Sequence, residues 1–173
     1  IHSLPLHFNK ILTGSHGGNA KPDKDTLNEA LQWNHPTAII QMLLDEDAKP
    51  NEDTLNIALW RKHPTEVIQL LIDKGAKPDE YTLDSALNGN NPIGTIQYLL
   101  GKGATPNDHT LNYALYHSHP IATIDLLLMH GAAELMADTH PRKQEMLDRY
   151  QVLINESSRN EITNAAIGLF GAD

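Results

Sequence analysis

Cysteine is absent from this chain, which removes disulfide frameworks, cysteine-ligated zinc, iron–sulfur clusters and thiol nucleophiles together. Aromatic residues make up only 5%, with 2 Phe and 2 Trp, so any core must be built from aliphatic side chains. Positive charge is scarce too: 13 Lys and Arg stand against 22 Asp and Glu, leaving −9 with histidine neutral. That balance argues against a phosphate-tracking nucleic-acid binder and a polybasic membrane binder, because both draw affinity from clustered Lys and Arg. No apolar run approaches the ~18 residues of a membrane span. The opening Ile1-His2-Ser3-Leu4-Pro5 has no basic stretch leading into an apolar one. Since the chain does not begin with Met, a processed product or an excised piece of a longer protein is expected. What is present, 173 residues of which 40% are apolar and 20% charged, suffices for a folded core.

The strongest signal is self-similarity. Ala20-Lys21-Pro22-Asp23, Ala48-Lys49-Pro50-Asn51, Ala76-Lys77-Pro78-Asp79 and Ala104-Thr105-Pro106-Asn107 start 28 residues apart. In the same register Thr-Leu recurs at Thr26, Thr54, Thr82 and Thr110, Ala-Leu at Ala30, Ala58, Ala86 and Ala114, and Pro at 36, 64, 92 and 120. Full copies cover 20–47, 48–75, 76–103 and 104–131.

Each copy reads as two short helices. Asp23, Asn51, Asp79 and Asn107 are suited to cap the first. Along it, Leu27, Ala30, Leu31 and their equivalents form one apolar stripe. The second helix is expected to start at Pro36, Pro64, Pro92 and Pro120, capped by His35, His63, Asn91 and His119. It should end where Asp47, Gly75, Gly103 and Gly131 stand. Helices this short are marginal alone, so stacking must stabilise them. The expected fold is therefore an all-α α-solenoid of four helix-pair repeats. Residues 1–19 would form an N-terminal cap. Residues 132–173 would hold a degenerate repeat and a C-terminal helical cap, with helices at about 142–155 and 160–170.

Thr82-Leu83-x-x-Ala86-Leu87, Asn91-Pro92, Thr95-Ile96-x-x-Leu99-Leu100 and Gly103-Ala104 follow the landmarks of the ankyrin repeat in order, and this resemblance covers roughly residues 20–133. The unit is shorter than the family's about 33 residues, and the missing residues fall where the ankyrin β-finger would be. Short loops with little or no strand are expected. The resemblance implies a non-catalytic scaffold for protein binding. A rival resemblance, to pentatricopeptide repeats, lies in Gly75-Ala76-Lys77-Pro78-Asp79-x-x-Thr82-Leu83. It would make Asn56 with Asp79 an RNA base-reading pair. The acidic balance and the shorter unit weigh against it.

Positions that vary between copies mark what the array displays. On the first helices these are Glu29, Gln32 and Trp33; Ile57, Trp60 and Arg61; Ser85, Asn88 and Gly89; and Tyr113, Tyr116 and His117. Trp, Tyr and Arg are the usual interface anchors. Trp33, Ile57, Trp60, Arg61, Tyr113, Tyr116 and His117 are thus the candidate partner-binding residues. The competing reading has the large side chains bridging neighbouring helices.

The ten histidines invite a metal, yet His35, His63 and His119 share one structural position. His117 and His119, two apart, would diverge on a helix. No metal or cofactor is expected, and no catalytic motif occurs. Asp45-Glu46-Asp47 reads as a solvated acidic loop. The sequence thus favours a monomeric scaffold for a protein or peptide partner. A eukaryotic-type repeat array rich in Lys, Asn and Ile further suggests a secreted bacterial effector, cytoplasmic in the host. The alternatives are a targeting segment of a larger enzyme and an RNA-binding array.

Overall fold

The structure, a computed structural model, describes residues 22–137 and 141–170, with residues 162–170 as backbone only. The expected cap at residues 1–19 lies outside them. Nine helices and no strand occur among the described residues: α1 Lys24–Gln32, α2 Thr37–Asp45, α3 Glu52–Trp60, α4 Thr65–Asp73, α5 Thr82–Asn88, α6 Ile93–Gly101, α7 Thr110–Tyr116, α8 Ile121–Met129 and α9 Lys143–Phe170. They group into two compact units divided between Ala104 and Thr105. The first holds α1–α6, the second α7–α9.

In the first unit, α3 packs between α1 and α5, while α2, α4 and α6 pack on their own first helices. The stripes expected from the spacing supply these contacts. Leu27, Ala30 and Leu31, Leu55, Ala58 and Leu59, and Leu83, Ala86 and Leu87 are buried. Small Ala at the centre lets neighbouring helices approach closely, and Ile40, Leu43, Ile68, Leu71, Ile96 and Leu99 close the core from the second helices. Burial of such side chains contributes roughly 1.5–3 kcal/mol each relative to exposure.

The buried Thr hydroxyls of the first-helix starts are satisfied locally. Thr26 and Thr54 donate from backbone nitrogen and hydroxyl to the Asp23 and Asn51 side chains at 2.8–3.0 Å. Asp23 and Asn51 are therefore true N-caps. At Asn107 both Thr110 bonds form and at Asp79 the Thr82 hydroxyl bond alone, but α5 and α7 begin later, after Tyr81 and His109. There the first backbone bonds, Thr82 N to Asp79 O and Thr110 N to Asn107 O, are both 3.3 Å and span three residues. A tight turn replaces the first helical turn.

The second helices also begin one residue later than expected. Pro36, Pro64, Pro92 and Pro120 occupy the N-cap with φ near −55° and ψ of 142–149°. The residues before them do not cap these helices. His63 Nε2 instead meets the Leu31 carbonyl at 2.9 Å, and Asn91 Nδ2 meets the Leu59 carbonyl at 2.7 Å. Each adds a second donor to a carbonyl that already accepts a backbone bond at 3.0 Å, Leu31 from Asn34 N and Leu59 from Lys62 N, and so ties one helix pair to the first helix of the pair before it. Because a carbonyl only accepts, His63 must carry its proton on Nε2.

Both helix types end in a left-handed residue. After the second helices it is Asp47 (φ 77°), Gly75, Gly103 and Gly131. After the first it is Asn34, Lys62, Asn90 and Ser118, with φ of 50–57°. His63 N to Ala58 O and Lys62 N to Leu59 O, at 2.9 and 3.0 Å, make the Schellman pattern.

In the second unit α8 packs on α7 and on α9. The α9 helix runs unbroken through Ser157 and Ser158, where two helices were expected. No Gly or Pro stands between 142 and 160 to end it. It is pinned by buried Met146 and by the Arg149–Asp125 ion pair, whose Nη2–Oδ2 arm is 2.7 Å.

Candidate functional site

The first helices turn one face to their neighbours and leave the other open, and the variable residues gather on the open one. In the first unit Ile57 and Trp60 of α3 line a cavity of about 480 Å³ together with Asn28 of α1, Asp53, Asn56 and Ser85 of α5. Trp60 is 49% exposed, and the Arg61 guanidinium lies 4.9 Å from its ring centre, a cation–π contact. Asn56 Nδ2 donates to both Asp79 carboxylate oxygens, at 3.1 and 3.0 Å. The pair singled out as base-reading thus ties one helix pair to the next. Trp33, the C-cap of α1, is 63% exposed and stands outside the cavity wall.

In the second unit Tyr113 and Tyr116 of α7 line another cavity of about 480 Å³ with His109 and Asn112. Tyr116 is 84% exposed. His117 stacks 4.1 Å from Tyr113 and meets Tyr116 edge-on at 5.0 Å. His119 lies 6.2 Å from the Tyr113 ring. Its burial, and secondly the charge of His117, hold it below the ordinary histidine value.

The two cavities use the same register: Asp53 and His109, Asn56 and Asn112, Ile57 and Tyr113, Trp60 and Tyr116 are each two 28-residue units apart. Comparison with protein-family models, curated proteins and solved structures finds no match to this chain.

Ile57, Trp60 and Arg61 therefore lie at or beside the cavity of the first unit and Tyr113, Tyr116 and His117 at or beside that of the second, while Trp33 stands apart from both. Gly89, grouped with the displayed positions, is instead buried. The wall residues that the sequence did not point to are Asn28, Asp53, His109 and Asn112, while Ser85 was among the displayed positions and Asn56 was singled out only as a base reader. The Asn beside the apolar stripe in three of the four copies, with Asp84 in the other, was the available signal. The Oδ1 atoms of Asn28, Asn56 and Asn112 are shielded from water and receive no hydrogen bond, which is costly unless something compensates.

The acidic loop after α2 is engaged within the chain. Asp45 accepts from Lys74 at 3.1 Å and from Gln41 at 2.9 Å, and Lys74 is the main cause of its lowered pKa. Asp47 pairs with Lys49. Among the described residues no three His, Asp or Glu converge as metal ligands, and no helix is long and apolar enough to cross a membrane.

Proposed function

We propose that the chain is a non-catalytic interaction module, an α-solenoid of ankyrin-like 28-residue helix pairs that binds a protein partner on the open face of its first helices. The observation that carries this reading is the recurrence of one cavity at one register, walled in each unit by the exposed aromatics Trp60 and Tyr116. Such cavities fall in the ~300–1,000 Å³ range of ligand sites. Large rigid aromatics at low entropy cost are what an extended segment of a partner needs for anchorage. Arg61 and His117 hold Trp60, Tyr113 and Tyr116 in place by stacking and so preorganise the face.

The test is a pull-down with the intact chain and with a Trp33/Trp60/Tyr116 triple-alanine variant of matched thermal stability, read by mass spectrometry. A partner retained by the intact chain should bind the variant at least about tenfold more weakly, the loss expected when central anchors are truncated. Identical retention by both proteins would refute the face.

A further inference from the structure

The wall of the first-unit cavity is chemically one-sided. Asp53 presents an exposed carboxylate whose contact from Asn51 Nδ2 is long, at 3.5 Å. Asn28 and Asn56 each carry an Oδ1 that no donor reaches. The Asn56 amino group is engaged by Asp79. Trp60 adds an indole face and Ile57 an apolar side chain, and the nearest cation is Arg61, whose guanidinium lies 4.9 Å from the Trp60 ring centre while the lining residues themselves include no Lys, Arg or His. The cavity thus offers the Asp53 carboxylate and π surface. Glu52 and Asp53 in the first turn of α3, within a chain of net charge −9, give it a negative field. An acidic segment would meet like charge there, whereas a cation would be drawn in. The second-unit cavity has His109 in place of Asp53 and does not share this character.

We propose that the Asp53–Trp60 cavity receives an Arg or Lys side chain from an extended basic segment of a protein partner. The proposal rests on the binding face argued above and names its ligand chemistry. A guanidinium or ammonium stacks on Trp60 and donates to the exposed Asp53 carboxylate. Arg61 already illustrates the first contact, with its guanidinium over the same ring at 4.9 Å.

The test titrates three labelled twelve-residue Gly/Ser peptides, carrying alternating Arg, Lys or Glu, into the intact chain by fluorescence anisotropy at ~0.15 M salt. Asp53→Asn, Trp60→Ala and Asp73→Asn are titrated alongside. Asp73→Asn removes the same charge from an exposed site at the end of α4. The Arg and Lys peptides should saturate the intact chain, Asp53→Asn and Trp60→Ala should weaken them about tenfold, and Asp73→Asn should change little. Absence of saturable binding, or equal weakening by Asp53→Asn and Asp73→Asn, would overturn the proposal, the latter by showing diffuse attraction alone. Random peptides selected on the intact chain separate this from the broader reading. Selected sequences that need Trp60 but contain no Arg or Lys overturn the cationic cavity and leave the face standing. Sequences indifferent to both Trp60→Ala and Tyr116→Ala overturn the face itself.

Discussion

Single polar side chains tie this aliphatic array together by reaching backbone carbonyls of the neighbouring helix pair. His63 and Asn91 do so with different side chains at one register, the Asn together with Gly89 two residues before it. This bears on His119, the next member of the series. Its folded pKa lies below the ordinary 6.5. Between those two values the unfolded chain binds a proton that the folded chain does not. Its contribution to stability is therefore complete above about pH 6.5 and is lost as the pH falls toward the lowered value. Urea unfolding at pH 7.5 and 5.5 should show a smaller acid loss for His119→Asn than for the parent, and an equal loss would contradict this origin. A second residue-level expectation concerns Asp47, which holds φ 77° where the equivalent units use Gly75, Gly103 and Gly131. Asp47→Gly should stabilise by about 0.5–1 kcal/mol, since the exposed Lys49 pair it removes is worth little. A calorimetric melting temperature that does not rise would count against it.

At the level of elements, the close approach of α5 to α3 depends on Gly89. A Cβ there would lie 2.0 Å from the Leu59 carbonyl oxygen and 2.7 Å from Asn91 Nδ2. Arg61 occupies the same register one unit earlier, where His63 makes the reach. The shorter arm of Asn91 draws the helix ends together, and glycine makes room. Gly89→Ala should cost about 1–3 kcal/mol in chemical denaturation, as overpacking does, and adding Asn91→His should recover part of it. Full stability of Gly89→Ala would refute this account. The helices themselves were legible, because Leu27, Ala30 and Leu31 and their counterparts encode one stripe four times. Their starts at Thr82 and Thr110 were not, since Asp79 and Asn107 accept the Thr hydroxyl at a turn just as Asp23 and Asn51 do at a helix start. Lys62 and Ser118 at positive φ also gave no local sign, because neither residue type favours that conformation. The continuous α9 was obscured by polar residues 155–160, which weaken the apolar pattern without breaking the backbone.

Across the whole molecule, the proposed binding face was half legible. Variable aromatics pointed to Trp60, Tyr113 and Tyr116, but Asn28 and Asn56 repeat between copies and therefore read as scaffold. Their place in the wall emerges only where neighbouring first helices together line an open cavity. The hydrogen bonds from His63 to Leu31 and from Asn91 to Leu59 also give the first unit a direction. Each helix pair offers a carbonyl forward and a donor backward, so the assembly is head-to-tail. A terminus exposed by cutting between pairs differs in kind on its two sides, with a carbonyl that has lost its second donor left behind and an idle donor ahead. Removing residues 48–75 as one block would align Asn91 with Leu31 and rejoin the series, whereas a cut that is not a whole number of 28-residue units would break the register. Lengthening or shortening that keeps these bonds proceeds in whole 28-residue steps.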